Sequence, residues 1–291
     1  NWSFIPEEAF LNCGDIKKVV IPSTVSQIHK LAFYLSGLTE LSFKAKSQLV
    51  TIGHGAFASS NITSVLIPKS VIKIVDFAFS YSSRLEEVIF ESGSLLETIG
   101  FGAFMSTNIQ SLVIRKSVKE IHDRAFYESG LKELSFKANS QLETIGHGAF
   151  AGCRGLTKVE IPAAIKKILD GAFALSGLKK VTFESGSQLE TIGERAFDET
   201  DLMSINLPIC VTIGTAAFKN TGCDAPIFIG GNTISNCVVV TQSSINIDAD
   251  GHVQIPGKKA IPDFAFTNCK NMKTIFIPSS VQQIGKKAFS G

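Results

Sequence analysis

The dipeptide Ala-Phe recurs twelve times in this chain, ending at Phe10, Phe33, Phe57, Phe79, Phe104, Phe126, Phe150, Phe173, Phe197, Phe218, Phe266 and Phe289. The spacing is 21 to 25 residues throughout, apart from one gap of 48 between Phe218 and Phe266. A unit that short cannot bury a core alone, so successive units must stack and share one. A chain of 291 residues would otherwise suggest two globular domains of about 150 residues each. The repeat overrides that prior and points to a β-rich solenoid of about twelve coils.

Two kinds of coil alternate. The short kind reads Ile16-Lys-Lys-Val19-Val-Ile21-Pro22, then Val25-Ser-Gln-Ile28, then Ala32-Phe33. The long kind reads Leu38-Thr-Glu-Leu41-Ser-Phe43, then Leu49-Val-Thr-Ile52-Gly53, then Ala56-Phe57. The first station of each coil ends on two apolar residues two apart, which point the same way only in a strand. Pro follows it at Pro22, Pro68, Pro162, Pro208 and Pro278, where pairing ends and the chain turns. The second station is a short extended piece, and Gly53, Gly100, Gly146 and Gly193 are expected to allow a bend after it. Ala-Phe is expected to open a single helical or 3₁₀ turn, with Ala small enough for close stacking. The position three after each Phe is small and polar, from Cys13 and Ser36 to Thr221 and Cys269. Side chains there can bond turn backbone that would otherwise be buried unpaired.

Composition agrees with one environment repeated many times. Phe occurs 22 times, against three Tyr and one Trp. Apolar residues make up 44% and charged residues 19%, enough for a folded core. The net charge of +2 gives no electrostatic case for nucleic acid or an anionic membrane. No apolar run approaches the roughly 18 residues of a membrane-spanning helix, so membrane insertion by this segment is not expected. The chain opens and closes on repeat fragments, which reads as a piece of a longer protein.

The pattern L-x-x-L-x-I-P, then S-V-x-x-I-x-x-x-A-F-x-x-C, resembles the BspA-like leucine-rich repeats. It is clearest at residues 16–33, 156–173 and 272–289, with Cys13, Cys153 and Cys269 in the family's Cys position. The long kind, with Ser187-Gln-Leu-Glu-Thr-Ile-Gly193, is similar to versions abundant in trichomonad parasites. The resemblance implies a leucine-rich-repeat fold and a surface or secreted protein of an anaerobic bacterium or protozoan. It also implies adhesion to host cells or extracellular-matrix proteins, and it brings no catalytic residues.

Residues 223–257 break the repeat. They contain turn-rich Cys223–Asn232, strand-like segments after Cys237 and at Ser244-Ile-Asn-Ile247, and a hairpin-like return through Asp250-Gly251. The expected organisation is a repeat array over 1–222, a β-hairpin spacer or irregular coil over 223–257, and a second array starting at 258–291. The restart at Ala260-Ile-Pro262-Asp-Phe-Ala-Phe266 mirrors the opening of the chain. A single array with one bulged coil is the alternative.

Few residues suggest chemistry. Asn246-Ile-Asp248-Ala-Asp250-Gly251 imitates the start of an EF-hand loop, but the twelfth position is Gly257 where a bidentate Glu is needed. A polar hairpin tip is the plainer reading. Cys223 and Cys237 could form a disulfide in a secreted protein, or remain thiols with Cys210 nearby. His29, His54, His122 and His147 occupy slots filled elsewhere by Val75, Phe101 and Glu194, which indicates solvent-facing filler. Asn1-Trp-Ser3 and Asn61-Ile-Thr63 match the N-glycosylation pattern. No nucleophile–base set, metal cluster or phosphate loop emerges, so no enzyme, metal or cofactor is expected.

The strand face carries the functional argument. Residues alternating with the buried ladder must point out. Val20, Ser42, Leu66, Ile89, Val113 and Glu160 occupy one outward row, and Glu40, Glu87, Glu133, Lys158 and Lys180 a second. The first half is an apolar stripe edged by charge, and exposed apolar patches tend to mark interaction sites. The expectation is a cell-surface or secreted protein that recognises a host or matrix protein through this face. The alternative is an intracellular scaffold of the same fold.

Overall fold

The computed structural model describes residues 2–202, 204–208 and 211–221. Beyond them it describes short pieces, among them Phe228–Ile229, Asn246–Ile247, Val253–Gln254, Ala260–Ile261 and 283–288. The apolar stations of the repeat become parallel strands. Nine four-residue strands run from Lys18–Ile21 to Ser204–Leu207, and ten two-residue strands from Phe4–Ile5 to Thr212–Ile213. All ten short strands form one parallel sheet in chain order. Each coil therefore adds one rung, as a solenoid requires.

Among the described residues the solenoid has about nine turns and no helix. That is fewer than the twelve coils expected, because much of the chain around Phe266 and Phe289 lies outside the described residues. The spacer expected over 223–257 lies largely outside them too. So do the EF-hand-like loop, Cys210, Cys223, Cys237, Cys269 and Asn1. Within that stretch Phe228–Ile229 pairs parallel with Ser204–Leu207, and Asn246–Ile247 pairs antiparallel with Val253–Gln254.

The interior is a column of phenylalanines. Rings from Phe10 to Phe218 stack in order, with centroids 4.9–5.5 Å apart and planes within 14° of parallel. That spacing matches the ~4.8 Å between strands and falls in the offset-stacking range for aromatic pairs. Each ring from Phe33 to Phe218 is essentially inaccessible to solvent, and so is the Ala before it in most coils. The Ile and Leu of both strand stations close around the column.

The Ala-Phe segment is not the helical or 3₁₀ turn that its sequence suggests. In a 3₁₀ helix every successive N–H bonds back three residues. Here only alternate N–H groups do so. Ala78, Ser80 and Ser82 donate to Val75, Phe77 and Phe79, while Phe77, Phe79 and Tyr81 donate to Phe101, Ala103 and Met105 of the next coil. The chain accommodates this by placing the residues two before and two after each Phe in the left-handed region. Leu31 and Leu35, Phe77 and Tyr81, and Arg124 and Glu128 all have φ between 51° and 57°. The segment is a run of overlapping turns that also serves as a third hydrogen-bonded ladder.

Gly146 has a different role from the expected bend. Its φ is not positive, but a Cβ there would sit 2.6 Å from the carbonyl carbon of His122 and 2.7 Å from the backbone nitrogen of Asp123. Gly53, Gly100 and Gly193 meet the preceding short coil in the same way. Glycine is needed because two backbones touch.

The four-residue strands do not form one sheet. Glu133–Phe136, Ser111–Ile114, Glu87–Phe90 and Ser64–Ile67 form a central section, with separate sections before and after. The junctions follow Phe43 and Phe136, which are 93 residues apart and both lie in Leu-Ser-Phe-Lys-Ala. The intervening long coils read Phe90-Glu-Ser-Gly and Phe183-Glu-Ser-Gly instead. There Glu91 accepts from the Lys69 N–H at 2.8 Å and Glu184 from the Ala163 N–H at 3.0 Å, tying each coil to the corner below. A four-coil period therefore lies above the two-coil one.

Candidate protein-binding face

The first and third residues of the four-residue strands from Lys18–Ile21 to Lys180–Phe183 point outward. Val20, Glu40, Ser42, Leu66, Glu87, Ile89, Val113, Glu133, Lys158, Glu160 and Lys180 are all exposed. The register aligns them in two rows. Leu66 is opposite Ile89 and Val113 opposite Ser135, and Ser111 pairs with Glu87. Leu66, Ile89 and Val113 thus stand on three adjacent strands, 52%, 44% and 39% exposed. The second and fourth residues of the same strands are buried, which fixes the outward set.

The structure brings these residues together in three groups rather than one. Val20, Glu40 and Ser42 belong to the first section, and Lys158, Glu160 and Lys180 to the last. Val20 is separated from the central stripe by Ser42 and by an unpaired junction. The continuous apolar patch is therefore Leu66, Ile89 and Val113. In the first section Lys18 Nζ lies 2.7 Å from Glu40 Oε2. The hydrogen bond to Glu40, helped by its charge, holds the Lys18 ammonium above its usual range.

The edges of the central patch differ in charge. Glu86, Glu87 and Glu133 lie exposed at the strand starts, with Lys132 among them. Lys69, Lys116 and Lys137 are exposed just past the strand ends, beside the half-buried Arg115 and Glu91. Arg115 donates to the Phe90 carbonyl of the coil below.

Other surfaces carry less. A groove of about 610 Å³ is lined by Lys119, Glu120, His122, Asp123 and Glu143. Within it His122 Nε2 lies 3.2 Å from Glu120 Oε2, with both side chains exposed. His29, His122 and His147 are exposed as expected, whereas His54 is half-buried and packs edge-on against Phe77 at 5.6 Å. No group of three metal-ligating side chains occurs among the described residues. No helix among them is long and apolar enough to cross a membrane.

Four carboxylates escaped the sequence reading. Asp76, Asp123, Asp170 and Asp263 accept from the backbone N–H of Phe101, His147, Glu194 and Lys286 in the next coil, at 2.6–2.9 Å. Each stands three residues before its coil's Phe, in Ile-x-Asp-x-Ala-Phe. That recurrence is the signal that could have found them.

The profile of the BspA type leucine rich repeat region matches residues 3–132, 97–224 and 229–291, in six copies. The chain belongs to this family. Among solved structures, a leucine-rich repeat protein from Bacteroides ovatus is 24% identical, with a TM-score of 0.66 over 99% of this chain and 67% of its own. The pneumococcal vaccine antigen PcpA is 22% identical, with a TM-score of 0.54 over 97% of this chain and 79% of its own. A leucine-rich repeat protein from Eubacterium ventriosum is 20% identical, with a TM-score of 0.52 over 99% of this chain and 80% of its own. At these identities the likeness is one of fold. Comparison with curated proteins finds no match.

Proposed function

We propose that this BspA-type protein is a non-enzymatic recognition protein, displayed on a cell surface or secreted, that binds a protein of a host cell or extracellular matrix through its strand face. The observation that carries the reading is the row Leu66, Ile89 and Val113, exposed on adjacent strands of a rigid ladder. A folded chain seldom leaves branched apolar side chains aligned in solvent without a partner. Membership of the family and the fold shared with a vaccine antigen support the surface placement. The rod itself supports the mode of binding, because extended solenoid faces make many small contacts along their length.

The test is the triple variant L66D/I89D/V113D. Capture of partner protein from host-cell extract or immobilised matrix should be lost, while the thermal unfolding midpoint stays close to that of the unmodified protein. Undiminished capture would remove the face as the site.

A further inference from the structure

The ladder of the Ala-Phe turns shows which coil stacks on which. The residue two after each Phe donates its N–H to the carbonyl of the residue one after the Phe of the next coil. Nine such bonds, from Asn12 to Tyr34 up to Glu199 to Lys219, measure 2.7–3.0 Å, and each acceptor lies 20 to 24 residues further along the chain. The tenth runs from Asn220 to Thr267 at 3.4 Å, 47 residues further along. The turn stacked on that of Phe218 is therefore the turn of Phe266. The strand ladder gives a second contact on the same coil. Ser204–Leu207 belongs to the coil of Phe218 and pairs parallel with Phe228–Ile229, Leu207 opposite Ile229.

We propose that the chain is one unbroken rod, in which residues 230–259 are a single enlarged corner of the coil ending at Phe266, and that the rod survives a cut in that corner. Both ends of this coil, Phe228–Ile229 and the turn at Thr267, lie on the coil of Phe218. Were the stretch from 219 to 266 two coils, or a spacer before a fresh array, Thr267 would not share a rung with Asn220. Past the corner the construction of the array resumes. Ile261 stands five residues before its Phe, as Ile213 does, and Ala260–Ile261 pairs parallel with Gln283–Ile284. Phe264, two before Phe266, has a φ of 55° and donates to the Lys286 carbonyl of the next coil at 2.9 Å. The two-residue ladder alone is interrupted. It stops at Thr212–Ile213 and restarts at Ala260–Ile261, the strand that follows the enlarged corner. The continuity of the rod is independent of what its strand face binds.

The irregular spacing of Phe218 and Phe266 follows from this. In the coils ending at Phe33 to Phe218 the corner between the two strands takes four to seven residues, and in the coil of Phe266 it takes 30. The excess leaves one coil of ordinary length within the gap of 48. The corner also holds a pairing of its own. Asn246–Ile247 lies antiparallel to Val253–Gln254, unlike the parallel pairs of the rod on either side. A stack can carry such a corner, because each coil need only touch its neighbours and closure entropy rises slowly with loop length. The excursion leaves the coil directly after Ile229, at the strand-end edge of the face.

The experiment places a site-specific protease sequence between Asp250 and Gly251, cuts the folded protein and follows it by size-exclusion chromatography in native buffer. A reductant ensures that no disulfide links the pieces. Residues 1–250 and 251–291 should elute together at the mass of the intact chain and part only in denaturant. The Asn220 N–H should resist hydrogen exchange as the Glu199 N–H does, before and after the cut. A second variant replaces residues 230–259 by the five-residue corner Pro162–Lys166, and its coils of Phe218 and Phe266 should keep their protection. Pieces that part in native buffer would overturn the proposal. So would an Asn220 N–H that exchanges as fast as one at a chain end, or a short-corner variant that loses protection from Phe218 onward.

Discussion

The residue three after each Phe places a hydroxyl or thiol among buried turn carbonyls, several of which also accept from a backbone N–H. Thr107, Ser176, Thr200 and Thr221 donate to the carbonyl of their own coil's Phe at 2.7–2.9 Å. Ser82 and Cys153 reach instead to the Phe of the coil below, at 2.9 and 3.3 Å. Ser36 Oγ is buried without a partner, so the slot tolerates an unmade bond. The sequence showed the slot because the residue type is constant. It could not show which carbonyl each side chain takes, because a small rotation of the side chain selects the neighbour. Burial pushes the Cys153 thiol from an ordinary 9.0 up to about 11, against the opposing hydrogen bond from Ser129. Below about pH 9 the thiol is protonated in both folded and unfolded chains, and pH has no effect through it. Between about 9 and 11 the unfolded chain releases a proton that the folded chain keeps, so stability falls as pH rises. Denaturant titrations across this window should show a shallower fall in Cys153→Ser, which keeps a donor in the slot. Equal slopes would mean that the buried thiol does not titrate in this way.

At the scale of the element, strands were legible and turns were not. Strand alternation leaves its mark in side-chain polarity, because one face is buried. The overlapping turns leave no such mark. Their left-handed positions hold Leu, Phe, Tyr, Arg and Glu as well as Gly, and such residues do not ordinarily signal positive φ. They persist because alternate N–H groups are held by the next coil, and that support is absent from any one repeat considered alone. The recurrent Gly after the second station was visible, but its reason was not. Close approach of two backbones is a property of neighbouring coils. Gly146→Ala must push the new Cβ, 2.6 Å from the carbonyl carbon of His122, against backbone that cannot rotate away. The expected cost is about 1–3 kcal/mol, as for overpacking a filled core. Gly14→Ala, where no atom lies within 4 Å, should be close to neutral. Urea unfolding of the pair checks both. A neutral Gly146→Ala would show that the coils can separate at that point.

For the whole molecule, the period fixed the solenoid and the alternation fixed which strand residues face out. The division of the face into three sections was not legible in any one repeat; its mark is the recurrence of Leu-Ser-Phe-Lys-Ala in the coil before each break. The Phe column, by contrast, runs unbroken through both junctions. That difference has a mechanical consequence. Each coil touches only its neighbours, so stability is close to a sum of coil and interface terms. Phe126 has stacked rings on both sides, Phe104 at 5.3 Å and Phe150 at 5.3 Å. Phe10 has one stacked neighbour among the described residues, Phe33 at 4.9 Å, and is only half-buried. Phe126→Ala should cost about 3–5 kcal/mol, as for a core aromatic, and weaken two interfaces at once. The arrays on either side can then unfold separately, so calorimetry should show a broadened or split transition. Phe10→Ala should cost markedly less and leave one transition, because only the first coil loosens. Hydrogen exchange adds the spatial readout, with lost protection centred on the Phe126 coil in one variant and confined to the first coil in the other. A single sharp transition in both variants, displaced by the same amount, would mean that cooperativity spans the whole rod and that nearest-neighbour stacking is not what holds it together.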